Sequence, residues 1–364
     1  MNGNNGNNGN KEKNSESLVA VGLSGGVDSA VSAYLLKQAG YRVIGLFMKN
    51  WDEKNGEGHC TAEQDFQDVV RVCEVLDIPY YSFEFVGEYF QQVFKPSLEV
   101  FLKGETPNPD VWCNKYIKFG LFYERALSLG VDYIATGHYC RRSEEGHLRK
   151  GLDPGKDQSY FLYTVKAEVL KRVLFPIGGM LKREVRQIAK EMGLVVHDKK
   201  DSTGICFIGE RDFAEFLGQF IKGTPGPFKT SDGKVVGEHQ GVYFYTLGQR
   251  KGLGLGGAGE PWFVVAKDIK SNSVFVERGD HPLLFSSGAN IGELTFVEDG
   301  YIKQFPYECK CKVRYRQEDQ ECIFEHPSCV RFKKKQRAVT PGQSIVFYDG
   351  EVCIGGGVIE TIIP

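Results

Sequence analysis

The chain has 364 residues, of which 41% are apolar and 25% are charged, as in an ordinary soluble protein. This length exceeds that of one typical hydrophobic core and predicts two or three domains. The sequence contains no run of about 18 consecutive apolar residues, which excludes a transmembrane helix, and its formal net charge of −2 favours no particular class of partner.

The amino terminus and the cysteines predict the compartment. Residues 1–10 contain only Met, Asn and Gly, so they lack the apolar segment of a secretion signal and are expected to form a disordered leader. The ten cysteines include no Cys-x-x-Cys pair. We therefore expect mainly free thiols in the reducing cytoplasm, most of them small buried hydrophobic residues.

A glycine-rich turn follows the first apolar run. Residues 18–21 predict a strand, and Ser24-Gly-Gly-Val-Asp-Ser29 then leads into a helical pattern. Gly25 and Gly26 permit positive φ angles and the close approach of an anion, while the free amides at a helix start favour a phosphate or pyrophosphate. The spacing matches neither the dinucleotide fingerprint nor the Walker loop. The alternative is a tight strand-to-helix turn without a ligand.

Strands and helices then alternate. Strands are predicted at residues 41–48, 80–86 and 133–136, and helices at 61–76, 87–102 and 116–129. This order predicts an α/β fold with a doubly wound parallel sheet, whose site lies beyond the carboxyl ends of the strands. The phosphate loop, Met48 and Gly137-His138 are therefore expected on one edge of the sheet.

A proline-rich loop, Thr106-Pro-Asn-Pro-Asp-Val-Trp-Cys-Asn114, precedes the last of these helices. Asp110 and Cys113 are three residues apart where a helix is expected to start, so one turn would place the carboxylate and the thiol on the same side. The helix dipole and Lys115 would stabilise a thiolate there. The alternative is that Asp110 caps the helix and Cys113 is a buried core residue.

Two later segments carry further candidates. Lys156, Asp157 and Gln158 lie in a Pro-Gly turn, the kind of loop that commonly carries contacts. Cys206 lies in an apolar, strand-like segment and by itself would be assigned to a core. Helices are expected at residues 181–192 and 213–220.

From residue 222 onward the pattern changes to short strands and glycine turns. After the linker Lys222-Gly-Thr-Pro-Gly-Pro227, a hairpin is predicted at residues 231–234 and a strand leading into a basic glycine loop at residues 243–254. Strands are also predicted at residues 262–266 and 273–277. From about residue 288 through residue 363, strands spaced by about eight to twelve residues predict a small closed barrel.

Residues 308–316 alternate between two faces. Cys309, Cys311 and Val313 are predicted on one face, and Lys310, Lys312 and Arg314 on the other. Ten Lys/Arg and five Asp/Glu between residues 301 and 337 indicate a surface that follows nucleic-acid phosphates. A zinc site at Cys309, Cys311, Cys322 and Cys329 is disfavoured by the spacing, so no metal site built by the protein is expected.

Seven motifs together resemble the tRNA-specific 2-thiouridylase family of PP-loop ATP pyrophosphatases, from about residue 18 to the carboxyl terminus. They are Ser24-Gly-Gly-Val-Asp-Ser29, Thr106-Pro-Asn-Pro-Asp-Val-Trp-Cys-Asn114, Gly137-His-Tyr139, Lys156-Asp-Gln158, Gly204-Ile-Cys-Phe207, Thr246-Leu-Gly-Gln-Arg-Lys-Gly252 and Arg314-Tyr-Arg316.

The resemblance implies a disordered leader at residues 1–16, a PP-loop catalytic domain at 17–210, a small central domain at 211–282 and a tRNA-binding β-barrel at 283–364. It implies exchange of sulfur for oxygen at carbon 2 of the wobble uridine, after adenylation of that oxygen and attack by a persulfide sulfur. ATP and Mg²⁺ are the expected cofactors. The expected partners are tRNAs for lysine, glutamate and glutamine and an upstream persulfide donor, which would be a cysteine desulfurase or a sulfur-relay protein; a monomer with no membrane contact is expected.

The same resemblance assigns roles to individual residues. Cys206 would carry the persulfide, Cys113 would be its catalytic partner, and Asp110 would accept a proton or orient the base. The expected ATP contacts are Gly22, Leu23, Ser24, Gly25, Gly26, Val27, Asp28, Ser29, Met48 and Gly137. The expected tRNA contacts are Asn108, Pro109, Asp110, His138, Lys156, Asp157, Gln158, Arg314, Tyr315 and Gln343.

Three alternatives remain open from the sequence. Another PP-loop adenylating enzyme, acting on tRNA or a small molecule, would share the phosphate loop without needing Asp110, Cys113 and Cys206. A tRNA-binding protein without catalytic activity would bind RNA without turning over ATP. A metal-binding module would contain zinc.

Overall fold

A computed structural model describes residues 14–51, 61–200 and 213–364. The described residues form two compact units. The first draws on Met1–Val93, Asp110–Glu210 and Glu351–Cys353, and the second on Phe94–Pro109, Arg211–Gly350 and Ile354–Pro364. The predicted leader lies almost entirely outside the described residues, and so does Cys206.

The first unit contains the predicted parallel sheet. Its strands are β1 (Leu18–Leu23), β2 (Arg42–Lys49), β3 (Tyr80–Glu84), β4 (Tyr133–Ala135), β5 (Cys140–Arg142), β6 (Leu148–Lys150) and β7 (Val173–Leu174). Five of them form a sheet in the order β3-β2-β1-β4-β7, and every neighbouring pair in it is parallel. Because β1 lies between β2 and β4, the crevice expected for a ligand lies at its carboxyl end.

Strand β1 is the centre of the core. Val19 and Val21 are fully buried and Leu23 is nearly so, and they cluster with Val31 of the first helix and Val69 of the second. A strand covered on both faces needs apolar residues in succession rather than in alternation. This is why residues 18–23 read as a continuous apolar run.

The helices through residue 200 mostly match the predicted ones. They are Val27–Gln38, Thr61–Leu76, Val86–Tyr89, Lys95–Leu102, Pro109–Trp112, Phe122–Ser128, Ala167–Leu170 and Lys182–Glu191, with wider π-helical turns at Phe90–Phe94 and Cys113–Leu121 and a 3₁₀ turn at Ser159–Phe161. The helix expected from residue 116 begins instead at Pro109, because proline at a first helical position has a suitable φ angle and needs no amide partner.

The second unit contains a four-stranded sheet and a barrel. The sheet consists of β8 (Gly226–Lys229), β9 (Val235–His239), β10 (Trp262–Asp268) and β11 (Ser273–Arg278), in the order β10-β11-β8-β9. The antiparallel pair β8–β9 confirms the hairpin predicted at residues 231–234. The helix Phe213–Gly218 precedes this sheet.

The strand predicted from residue 243 is wrong. Val242–Phe244 form a 3₁₀ turn, and the next strand begins only at Trp262. Val242, Tyr245 and Leu253 are buried in the core of this sheet domain. Their apolar character therefore reflects packing of an irregular segment, which resembles a strand in composition.

The predicted closed barrel is confirmed. After a 3₁₀ turn at Pro282–Leu284, its strands are β12 (Phe285–Phe296), β13 (Tyr307–Lys312), β14 (Gln320–His326), β15 (Cys329–Arg337), β16 (Ser344–Asp349) and β17 (Val352–Ile363). They are ordered β12-β15-β14-β13-β16-β17, and β12 pairs with β17 to close the barrel.

The predicted alternation in β13 is correct for the cysteines and wrong for one lysine. Cys311 and Val313 are buried, whereas Lys312, expected on an exposed basic face, is only 8% exposed. Its Nζ lies 3.8 Å from Asp319 Oδ1 and 5.4 Å from the ring centre of Tyr348. The long aliphatic stem of a lysine allows this burial when a carboxylate meets the ammonium group.

No helix among the described residues is both long enough and apolar enough to cross a membrane.

Candidate active site

The phosphate loop lies at the carboxyl end of β1, as predicted. Gly25 has a φ angle of 71°, and a Cβ at this position would lie 2.7 Å from the carbonyl oxygen of Asp65. Among the described side chains none caps the first turn of the helix Val27–Gln38. The amide groups at this helix start therefore remain available to an anion, with the positive end of the helix dipole behind them.

Ser29 shapes the loop from inside. Its Oγ donates to Gly26 O at 3.1 Å and accepts from the backbone N–H of Ser24 at 3.2 Å. Gly22, Leu23 and Val27 are buried around the turn. The loop is therefore fixed before any ligand binds, which lowers the entropy cost of binding.

Asp28 is the centre of an ion-pair network that the sequence did not predict. Lys182 Nζ lies 2.7 and 2.8 Å from the two carboxylate oxygens of Asp28, and Tyr139 Oη donates to one of them at 2.8 Å. Lys182 opens the helix Lys182–Glu191, so it is 154 positions from Asp28 in the sequence. The structure thus adds a lysine and a tyrosine to the predicted phosphate site.

A second lysine, Lys199, holds the loop by a hydrogen bond to its backbone. Lys199 Nζ donates to Gly25 O at 2.9 Å and contacts Asp65 Oδ1 at 2.8 Å and Asp68 Oδ2 at 2.6 Å. Burial by itself would lower the pKa of Lys199, but hydrogen bonds to the two carboxylates outweigh it and raise that pKa. Lys199 therefore stays charged and holds the loop against the helix Thr61–Leu76.

The neighbouring strands reach the same edge of the sheet. Gly137 follows β4, and a Cβ there would lie 2.7 Å from the backbone nitrogen of Ser29, so only glycine fits without a shift. Met48, next to last in β2, is 7% exposed. The loop, Met48 and Gly137 thus share the edge that strand order predicted.

Asn50 is a candidate that sequence reasoning missed. It follows β2 and is 1% exposed, and among the described residues neither its amide nitrogen nor its amide oxygen has a hydrogen-bond partner. A buried amide without partners costs about 1–3 kcal/mol for each unsatisfied group. A ligand or water at this edge of the sheet would remove that cost. Its position directly after a buried strand was the only available sequence signal.

Cys113 lies where the helix Pro109–Trp112 widens into the π-helical turn Cys113–Leu121. Its side chain is fully buried, while Asp110 is half-buried one turn earlier. Such widened turns are frequent at functional sites. A helix does start beside Asp110, as the spacing of Asp110 and Cys113 predicted, although the helical pattern of the sequence had placed its start at residue 116. Cys206 lies outside the described residues.

His138 is buried beside the sheet. Its Nδ1 lies 2.8 Å from Thr136 Oγ1, and its ring contacts those of Phe119 and Phe175. Burial, followed by the charge of Lys118, holds the pKa of His138 well below its usual range, so the ring is neutral at physiological pH. A direct contact with RNA stays a prediction, since the side chain is only 8% exposed.

The predicted tRNA contacts at residues 156–158 include two residues with internal roles. Asp157 is buried and accepts hydrogen bonds from the backbone of Gly151 and Ser159. Gln158 Oε1 accepts from the backbone N–H of Tyr139 at 2.9 Å. The bond to Gln158 positions Tyr139, whose hydroxyl group reaches Asp28. Lys156 is partly exposed.

In the second unit, several bonds hold the loop that leads to Asn108 and Pro109. Gln343 Nε2 donates to Thr106 O at 3.0 Å and to Pro107 O at 2.9 Å. The hydroxyl groups of Thr106 and Thr246 are 3.2 Å apart. Gln343, predicted as a tRNA contact, therefore also positions the loop, and its amide oxygen has no partner among the described residues.

Arg314, another predicted tRNA contact, forms hydrogen bonds within the protein. Its Nη2 donates to Leu247 O at 2.8 Å, to Ala338 O at 3.0 Å and to Thr340 Oγ1 at 3.0 Å. Tyr315 is partly exposed, and Arg316 lies over its ring. Contacts of Arg314 and Tyr315 with RNA stay predictions.

The residues at the phosphate loop fit a nucleotide-bound Mg²⁺. Such an ion commonly takes one or two carboxylates and completes its shell with phosphate oxygens and water. Asp28 supplies one carboxylate, and its side chain is 30% exposed. Among the described residues no group of three or more His, Cys, Asp or Glu side chains forms a metal cage.

Comparisons with known proteins cover the whole described fold. Three family models match in succession: a tRNA methyl transferase HUP domain at residues 17–210, a tRNA methyl transferase PRC-barrel domain at 214–278 and an aminomethyltransferase beta-barrel domain at 289–359. The curated tRNA-specific 2-thiouridylase MnmA of Protochlamydia amoebophila is 54% identical over 359 residues, covering 96% of this chain and 95% of that protein. MnmA of Bacillus subtilis is 49% identical over 360 residues, covering 97% of each.

A parallel sheet with a phosphate loop at its carboxyl edge, followed by two β domains, defines a PP-loop ATP pyrophosphatase with appended β domains. With about half of its residues identical over nearly the full length of these relatives, the chain belongs to the tRNA-specific 2-thiouridylase family.

Proposed function

We propose that this protein is a tRNA-uridine 2-sulfurtransferase that replaces the oxygen at carbon 2 of the wobble uridine by sulfur at the expense of ATP. The observation that carries the proposal is the identity of 49–54% with 2-thiouridylases along nearly the whole length of both chains. The phosphate loop agrees with this activity, because it is built to hold phosphates.

ATP binds at the phosphate loop, with Gly22–Ser29 around the phosphates and Met48 and Gly137 against the nucleoside. A carbonyl oxygen is a very poor leaving group, so the uracil O2 first attacks the α-phosphorus of ATP and releases pyrophosphate. Lys182, paired with Asp28 in this structure, brings a positive charge to the place where the phosphates gain negative charge. Asp28 would hold Mg²⁺, which when bound spreads the charge of the phosphates.

Sulfur then replaces the adenylated oxygen. The terminal sulfur of a persulfide on Cys206 forms a bond to carbon 2, and AMP leaves with the oxygen. Cys113 attacks Cys206 Sγ, breaking the sulfur–sulfur bond and leaving the transferred sulfur on the base. In a second route, Cys113 first frees hydrosulfide, which attacks carbon 2. Both routes end in a Cys113–Cys206 disulfide, which an external thiol reduces.

The RNA must present its base outside a helix. Carbon 2 is inaccessible within a stack, so the wobble base of the single-stranded anticodon loop turns out to reach the enzyme. Asn108, Pro109 and Asp110 contact that base, and Asp110 is suited to accept its proton. The remaining tRNA contacts are His138, Lys156, Asp157, Gln158, Arg314, Tyr315 and Gln343.

The proposal includes the surroundings of the enzyme. We propose a cytoplasmic monomer that takes sulfur from a cysteine desulfurase or relay protein and acts on tRNAs for lysine, glutamate and glutamine. We also propose domain boundaries at residues 17–210, 211–282 and 283–364. Residues 94–109, which include the first part of the proline-rich loop, belong to the same compact unit as residues 211–350. This grouping supports the proposal that this part of the loop packs with the two β domains.

Nucleoside mass spectrometry tests the function directly. Unmodified tRNA is incubated with the protein, ATP, Mg²⁺ and sulfide, then digested, and we expect 2-thiouridine at the wobble position only when ATP is present. Pyrophosphate release with an unmodified tRNA product would indicate another adenylating enzyme. Absence of both products would contradict the proposal.

Gln343→Glu should lower the thiolation rate about thirtyfold, because the carboxylate lacks the two N–H donors and places negative charge against the carbonyl oxygens of Thr106 and Pro107. Each lost bond accounts for about 1 kcal/mol. The measurement is the thiolation rate as a function of tRNA concentration. Gln304→Glu adds the same charge at an exposed barrel residue and serves as the control. Wild-type kinetics for Gln343→Glu would show that these two bonds do not position the loop.

A further inference from the structure

A small cavity beside the four-stranded sheet lies within the segment that contains Thr246-Leu-Gly-Gln-Arg-Lys-Gly252, a motif to which no role has been given. Its volume is about 310 Å³, and its walls are the glycine-rich residues 252–259 together with Arg250, Trp262 and Arg278. The cavity is therefore largely backbone, with two guanidinium groups.

One wall is rigid. The guanidinium carbon of Arg278 lies 4.2 Å from the ring centre of Trp262. Arg278 Nη1 donates to Glu260 O at 2.7 Å, and Trp262 Nε1 donates to Gly256 O at 3.2 Å. These contacts fix the positive charge of Arg278 and the shape of the loop before any ligand binds.

Arg250, the second arginine of the cavity wall, has no such bonds among the described residues. Arg250 is exposed and, within the described part of the chain, makes no hydrogen bond or ion pair. Glu260 also lines the cavity. Its carboxylate packs closely against Gly279, since a Cβ at that glycine would lie 2.2 Å from Glu260 Oε2. Two arginines against one glutamate leave the walls with an excess of one positive charge.

The backbone adds donors. Gly252, Gly254, Gly257 and Gly259 have φ angles of 75°, 65°, 105° and 109°. Outside the turn at residues 251–252, no backbone N–H along residues 250–260 donates a hydrogen bond to another described residue. Successive N–H groups in turns of this kind form concavities that bind anions.

We propose that this cavity binds a phosphodiester group of the tRNA backbone, so that the domain of residues 211–282 contacts the substrate as well. This inference rests on the proposed tRNA function. The guanidinium of Arg250 can form two parallel hydrogen bonds with the two non-bridging oxygens of a phosphodiester, and the loop amides can donate to the remaining lone pairs of the same oxygens. Such a contact adds affinity without reading the base sequence.

The test compares Arg250→Gln and the double variant Arg250→Gln/Lys251→Gln with wild type by tRNA binding over a salt series. Each lost phosphate contact should lower the slope of log affinity against log salt by about 0.9, and the single variant should bind on the order of tenfold more weakly at about 50 mM salt. Lys234→Gln, an exposed residue in the β8–β9 turn, is the matched control and should leave both quantities unchanged. Arg250, Lys251 and Lys234 are all exposed and lie in loops, so these substitutions should not affect folding.

A second arm titrates inorganic phosphate alone and follows the fluorescence of Trp262, with Trp262→Phe as the blank. Weak phosphate binding that Arg250→Gln removes, together with the loss of tRNA affinity, supports a site for RNA phosphate. Phosphate binding with an unchanged tRNA salt slope would assign the cavity to a free anion and overturn the proposal. If the wild-type protein thiolates tRNA and Arg250→Gln has the wild-type salt slope, this inference alone is overturned. If the wild-type protein does not bind tRNA, the proposed function is overturned too.

Discussion

Cys206→Ser and Cys113→Ser should each lower tRNA thiolation by roughly three orders of magnitude or more, about 4 kcal/mol in the activation barrier, because a hydroxyl group neither carries a persulfide nor cleaves one. The measurement is 2-thiouridine formed with a protein persulfide donor as the sulfur source. Binding of tRNA should stay within a few-fold of wild type, since neither cysteine is among the proposed tRNA contacts.

The control is Cys73→Ala in the same unit. Cys73 is 1% exposed, and burial raises its pKa to about 12, so it is a neutral core thiol. This variant should lose stability but keep its activity per folded molecule. Normal thiouridine formation by either Cys113→Ser or Cys206→Ser would remove that cysteine from the mechanism. Recovery of both variants with free sulfide would show that the two cysteines deliver sulfur and are not needed to adenylate the uridine.

Asp28→Asn and Ser29→Ala should each lower ATP-dependent pyrophosphate release by about a hundredfold, the usual effect of removing one group that organises charge in a transition state. Asp28→Asn keeps the shape but removes the negative charge opposite Lys182 Nζ. Ser29→Ala removes the bonds to Gly26 and Ser24 that shape the loop. Both effects are measured as pyrophosphate released in the presence of tRNA.

Asp132→Asn and Ser128→Ala are the matched controls. Asp132 Oδ2 accepts from the backbone N–H of Leu18 at the amino end of β1, and Ser128 Oγ donates to Arg125 O. Both lie away from the carboxyl edge of the sheet and should release pyrophosphate at the wild-type rate. Full release by both Asp28→Asn and Ser29→Ala would show that the loop does not hold the phosphates of ATP.

Periodicity was sufficient where one face or a whole strand is buried by its neighbours. The helix Thr61–Leu76 has the predicted bounds, and β1 and β2 occur where continuous apolar runs indicated buried parallel strands. It failed where apolar residues pack without regular structure, as at Val242 and Tyr245. It also failed at Lys312, because a pattern of charges does not show that Asp319 meets its ammonium group.

The amino-acid sequence by itself determined the parallel sheet, the phosphate loop at its edge and the closed barrel, because each depends on local pattern and on the order of elements. Only the tertiary structure decided that Lys182 meets Asp28, that Lys199 holds Gly25, and that Gln343 fixes the loop before Asn108. Those pairs are more than 150 positions apart, and a charge or an amide finds its partner only after hydrophobic burial has brought distant segments together.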